Sequence, residues 1–270
     1  MNDLTSHPTC GNLVSKIKEI ESELALLVKN RDNLLFHVCP KLKTEYMLKI
    51  GKIEYSIFEY QCKILRLKRE VEIIQSFKNR DQSYNIAKIE KQLDIEYKEY
   101  TAKLLEKQKE IEGARFRKSN SGLLLPEEDV QELRKLYVEI VKKTHPDINP
   151  DLTEEQHDHY IDAVNAYKNG DLAEMKVIFL LLEKTPFDIK PIENSIEKLN
   201  KRYESLSNVK EYMNKEIERI KESFPYNIMK VLSDENKVQA KIDELSNELT
   251  LCCEQYKSLE LRLQEVINNE

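Results

Sequence analysis

From Val238 onward the residues Val238, Ile242, Leu245, Leu249, Cys252, Tyr256, Leu259, Leu263 and Val266 fall at alternating intervals of four and three. A repeat averaging about 3.5 residues keeps one stripe of a helix turned toward a partner helix. No Gly or Pro interrupts this ladder, so the stretch predicts a coiled coil. The same spacing recurs at Leu13, Ile17, Ile20, Leu24 and Leu27, and at Ile53, Ile57, Tyr60, Ile64, Leu67, Val71 and Ile74. It returns at Ile86, Ile89, Leu93, Tyr97, Tyr100 and Leu104, and at Ile192, Ile196, Leu199, Tyr203 and Leu206, after which it slips phase. Charged residues make up 34% of the chain, with only 5 Gly, 8 Pro and no Trp, a profile of long helices with few tight turns. The predicted fold class is therefore all-α. The heptads fit an antiparallel bundle within one chain and equally a pairing between two copies, as a homodimer.

Breaks in the pattern divide the chain. Pro40 is expected to interrupt the first helix, because proline lacks an N–H and disfavours helix at the residue before it. The repeat loses phase across Lys78 to Ser83. Gly113 to Gly122 reads as a linker of turn-forming and charged residues. Pro186 and Pro191 end the central region, and Pro225 marks a turn or kink. Three regions result: helical or coiled-coil residues 1–118, a small module at 119–186, and a second helical or coiled-coil region at 187–270.

The module carries the one constellation with a chemical reading. Val130, Leu133, Leu136, Tyr137, Ile140 and Val141 make the apolar stripe of a core-facing helix over Glu127 to Lys143. Pro126 suits its first turn, and Glu127, Glu128 and Asp129 favour its N-terminus. Arg134, Lys135, Lys142 and Lys143 lie off the stripe, the last two also where cations suit the helix dipole. The helix runs into His145-Pro146-Asp147, where the proline forces a turn. Beyond it, Thr153 and Gln156 fit a capping box, Tyr160, Ala163, Val164 and Tyr167 share one face, and Gly170 suits a helix stop. Asp171 can cap a final helix with Leu172, Met175, Ile178, Phe179 and Leu182.

Two antiparallel helices joined by a His-Pro-Asp loop resemble the J-domain, the module through which co-chaperones stimulate ATP hydrolysis by DnaK-type chaperones. The resemblance covers about residues 123–184, and Ala163 and Ala166 beside Tyr160 and Tyr167 look like that family's third helix. It implies that Asp147 engages an arginine of the ATPase, that Pro146 fixes the loop, and that His145 supports its conformation and contacts the partner. It implies too that Arg134, Lys135, Lys142 and Lys143 steer the helix onto an acidic surface. Val138 and Glu139 stand where many members carry Lys or Arg, and no recognisable first J-domain helix precedes Leu123. Residues Tyr97 to Ile111 or the segment Leu123-Leu124-Leu125 are expected to cover that face. The Gly/Phe-rich linker and zinc-binding repeats of general-purpose J-proteins are missing, which points to a specialised member with arms for a client or complex.

Other readings fall short. Asp147, Asn149 and Asp151 begin like a calcium loop, but Leu152 stands at its sixth position and Asp158 at its twelfth. His157-Asp158-His159, and His7 and Cys10 with His37 and Cys39, have unusual spacing for a metal. No phosphate-binding loop or nucleophile elbow occurs, so no enzyme, cofactor or metal is expected. With a net charge of −6 and both signs interspersed, no nucleic-acid footprint dominates, and no apolar run approaches a membrane span. The N-terminus does not read as a signal peptide, and 5 scattered cysteines suit a reduced, cytoplasmic protein. A structural or tethering role, with a J-like module that engages no chaperone, is the alternative function.

Overall fold

The computed structural model describes residues 8–119, 125–184 and 196–268, and every regular element among them is helical. In chain order they are α1 (Pro8–Asn33), α2 (Cys39–Tyr46), α3 (Lys52–Lys78), α4 (Ile86–Glu96), α5 (Lys98–Ser119), α6 (Glu127–Thr144), α7 (Glu154–Asn169), α8 (Leu172–Lys184), α9 (Ile196–Glu222), the short α10 (Met229–Leu232) and α11 (Glu235–Asn268). The protein is all-α, as its spacing predicts. Pro186, Pro191, Ile192, Gly122, Leu123, Leu124 and His7 lie outside the described residues.

Among the described residues two predicted breaks, at Pro40 and from Gly113 to Ser119, are absent. The helix passes through Pro40: a π turn at Leu34–Val38 stands immediately before Cys39 and Pro40, and the Cys39 N–H bonds to the Leu34 carbonyl five residues back. The wider turn relieves the clash between the proline ring and the preceding carbonyls. The expected linker from Gly113 is also helical as far as Ser119, because Ile111 and Ala114 are buried and hold that turn in place. The break after Lys78 is present. Asp81 takes a positive φ of 53°, which Asp tolerates, and the Asn85 side chain caps α4 by accepting the Lys88 N–H at 3.1 Å.

The described chain forms two compact units that cut across the divisions at 118/119 and 186/187. One unit combines Met1–Pro40 with Gly122–Asn227, the other Lys41–Ser121 with Ile228–Glu270. In the second unit α3 and α11 pack along their length. Ile50 and Ile57 meet Leu232, Val238 and Leu245, Tyr60 stands edge-on to Tyr256 at 5.8 Å, and Lys78 Nζ donates to the Ile267 carbonyl. Rising numbers on one helix meet rising numbers on the other, so the pair is parallel. Ile89 and Leu93 of α4 close the far end against Ile73 and Ile74. Lys43 pairs with Glu110 at 2.6 Å, and Tyr97 Oη donates to the Leu65 carbonyl, so α4 and α5 run back along α3 and α2.

The first unit holds the His145 module. α1 and α9 are also parallel, since Glu21 meets Arg202 while Arg31 meets Glu216. Their seam, Ile17, Ile20, Leu24 and Val28 against Leu199, Leu206 and Met213, shares one core with Leu133, Tyr137, Ile140 and Val141 of α6, Ala163, Ala166 and Tyr167 of α7, and Met175, Ile178 and Leu182 of α8. The α9 seam continues past Leu206 through Val209 to Met213 at the same spacing instead of slipping phase there. The face expected to be covered by Tyr97 to Ile111 is covered by α1. Those residues belong to the other unit, and of the Leu123-Leu124-Leu125 segment the described Leu125 packs on this core. α1 supplies a long apolar stripe at the right spacing, whereas α5 offers only Ile111 and Ala114 as buried positions.

Candidate functional site

α6 ends where its sequence demands. Thr144 Oγ1 donates to the Ile140 carbonyl at 2.8 Å, and His145 leaves the helix with φ −72° and ψ 127°, the extended geometry a following proline imposes. Asn149 Nδ2 donates to the Lys142 carbonyl at 2.8 Å and satisfies one of the orphan acceptors of the last turn. α7 then begins with the expected capping box: Gln156 N–H donates to Thr153 Oγ1 and Thr153 N–H to Gln156 Oε1. It stops at Gly170, whose φ is 70°, and Asp171 caps α8 by accepting the Glu174 N–H.

The loop is braced from inside. His145 is buried, its ring edge-on to Tyr160 at 5.0 Å, and its Nδ1 accepts the Asp147 N–H at 3.1 Å. Its carbonyl accepts from both Ile148 and Asn149. Pro146 and Asp147 stand exposed at the tip, and among the described residues the Asp147 carboxylate has no hydrogen-bond or ion-pair partner. Burial pushes the His145 imidazole below its ordinary range, with the Arg31 cation in the same direction and Asp147 and Asp32 against it. A neutral ring leaves Nδ1 free to accept, which is what the brace needs. His145 thus shapes the loop while Asp147 presents an exposed carboxylate.

A polar network lies behind the loop that sequence reasoning does not identify. Asp32 is buried, accepting from Tyr137 Oη at 2.5 Å and from Arg31 Nε at 2.8 Å. The Tyr137 ring stacks on Tyr167 at 4.2 Å, and His37 meets Tyr167 edge-on at 5.1 Å. Burial drives the Tyr137 hydroxyl far above its ordinary range, with the Asp32 charge and hydrogen bond adding to it, so it stays a donor. Burial pulls the Arg31 guanidinium down, but its hydrogen bond and charge contact with Asp32 outweigh that and raise it. One signal for Asp32 stands in the sequence: it follows Leu24 and Val28 at helical spacing, a charge on an apolar stripe. No local signal marks Arg202 on α9, whose guanidinium donates to the Ile148 carbonyl and pairs with Glu21 at 3.3 Å.

The four predicted cations divide. Arg134 and Lys135 are exposed. Lys142 is half-buried and paired with Glu139 at 2.9 Å, and Lys143 lies over the Phe179 ring at 5.5 Å. Val138 is buried in the shared core, so this position faces inward and could carry no steering charge. His157 and Asp158 are exposed on the first turn of α7, and no three His, Cys, Asp or Glu side chains gather among the described residues. The side chain of Cys10 lies outside the described residues. No described helix is long and apolar enough to cross a membrane. Comparison of the chain with protein-family models, with curated proteins and with solved structures gives no match.

Proposed function

We propose that this protein is a J-type co-chaperone that stimulates the ATPase of a DnaK-type chaperone in the cytoplasm, by contact and without catalysis of its own. The observation that carries the reading is the loop. A buried, neutral His145 holds the Asp147 amide, Pro146 fixes the turn, and the Asp147 carboxylate stands at an exposed tip without a partner among the described residues. Such a tip suits an arginine on a partner, because a bidentate guanidinium–carboxylate pair is among the stronger charge-assisted contacts. Arg134 and Lys135, exposed on α6, supply charge for an acidic approach surface. The surfaces of α3, α5 and α11 would then serve a client or complex. Single-turnover ATP hydrolysis by the chaperone tests this, with the His145→Gln variant as control: acceleration by the wild type alone supports the reading.

A second reading has one observation in its favour. Glu139 neutralises Lys142 on the face where steering charge is wanted. In that reading the module is a spacer in a tethering protein, and charge reversal at Arg134 and Lys142 leaves the chaperone's rate unchanged.

A further inference from the structure

The loop is held from a third direction, by a helix far along the chain. Ile148 follows Asp147 directly, and its side chain is buried in the core shared with Leu199 and Leu206 of α9. Its carbonyl accepts from Arg202 on that same helix, and the same guanidinium nitrogen pairs with Glu21 on α1 at 3.3 Å. The His145 brace fixes the amides of Asp147, Ile148 and Asn149. It leaves the Ile148 carbonyl to Arg202. The peptide plane between Ile148 and Asn149 is therefore gripped at both ends, its N–H by the His145 carbonyl and its carbonyl by a residue 54 positions away, which ties the chain one residue beyond Asp147 to α9.

The geometry points to Arg202 as a positioning residue for Asp147, so the output of the loop depends on α1 and α9. The functional side of this rests on the co-chaperone reading. Without Arg202 the Ile148–Asn149 peptide keeps only its bond to the His145 carbonyl, and the segment from Asp147 to Asn149 samples other orientations. Contact with α6 is untouched, because Arg134 and Lys135 stand on another element. The expected signature is therefore a split: the maximal stimulated rate falls and the half-saturating concentration does not.

The test uses the full chain as wild type, Arg202→Ala, Arg202→Lys and Glu21→Gln, each checked for an intact helical spectrum. Amide exchange on the protein alone comes first. In Arg202→Ala the amides of Asp147, Ile148 and Asn149 should exchange about tenfold faster, the scale of one lost charge-assisted hydrogen bond, while α6 and α7 keep their protection. Arg202→Lys should recover part of it, and Glu21→Gln should show a smaller acceleration of about twofold. Unchanged exchange in Arg202→Ala overturns the clamp. Stimulation of the chaperone's single-turnover rate comes second: Arg202→Ala should lose about tenfold in maximal rate with the half-saturating concentration within about twofold, and Lys should restore most of it. A wild type that leaves hydrolysis unchanged overturns the co-chaperone reading and the functional role with it, while exchange still decides the clamp. A stimulating wild type matched by Arg202→Ala overturns the positioning role alone.

Discussion

The pairs α1/α9 and α3/α11 are both parallel and both join distant parts of the chain, 181 residues apart at Glu21 and Arg202 and 187 at Gln61 and Glu248. Their interiors differ. The α3/α11 seam buries apolar side chains, with Ile57, Ile74, Val238 and Leu245 coming from the heptad positions themselves. The α1/α9 seam is broken at Arg31 and Asp32, whose charges reach across to Tyr137 on α6. A continuous seam needs only its partner. The buried Asp32 marks the place where a third helix joins, because one of the two groups that satisfy it, the Tyr137 hydroxyl, comes from α6.

The largest effect expected from this difference is at Asp32. Asp32→Ala leaves Arg31 without its buried partner and Tyr137 without an acceptor, and should cost about 3–5 kcal/mol of the first unit's stability in urea unfolding. A loss below about 1 kcal/mol would put Asp32 on the same footing as any surface carboxylate. On the other seam Leu245→Ala removes a buried side chain and should cost about 2–5 kcal/mol in the second unit, with stimulation of the chaperone unchanged. If Leu245→Ala abolished stimulation, the two units would not be separable in function.

The sequence carried these two regions unequally. Heptads located α3 and α11, and turn chemistry placed the capping box at Thr153 and the stop at Gly170 almost to the residue. Heptads could not show that the pairs are parallel, because pairing direction is a property of contacts between stripes and not of one stripe. Pro40 and Gly113 misled for a common reason: both residues weaken a helix locally, and packing or a π turn offsets that cost. In the site, His145, Pro146 and Asp147 were legible as a motif. The brace on the Asp147 amide, the inward turn of Val138 and the grip of Arg202 on Ile148 were not, since each depends on which helices surround α6.

Two smaller effects sharpen the account. Burial lowers the His145 pKa in the folded protein, so the unfolded chain takes up a proton that the folded chain resists. Stability from this group is complete above the ordinary imidazole value near 6.5 and is lost as pH falls below it toward the folded value. The urea midpoint of the wild type should therefore drop more than that of His145→Gln between about pH 7.5 and about pH 5.5. His37, also lowered by burial first, should add a decline of the same sign that His37→Gln removes. Equal slopes in wild type and variants would mean that neither ring is held neutral by the fold. The smallest effect is at Glu139. Glu139→Gln frees Lys142 at an exposed pair, should change stability by less than about 0.5 kcal/mol, and should tighten half-saturation of the chaperone by about twofold at low salt.

In the proposed function the exposed carboxylate of Asp147, presented by a buried His145, acts on a chaperone ATPase. Single-turnover ATP hydrolysis by a DnaK-type chaperone of the same organism, with wild type and with Asp147→Asn at matched concentration, tests it most directly. Acceleration of about tenfold or more by the wild type, lost in an Asp147→Asn variant with an unchanged helical spectrum, is the predicted result. Equal rates with wild type, variant and chaperone alone would contradict it and leave the module as a spacer between helical arms.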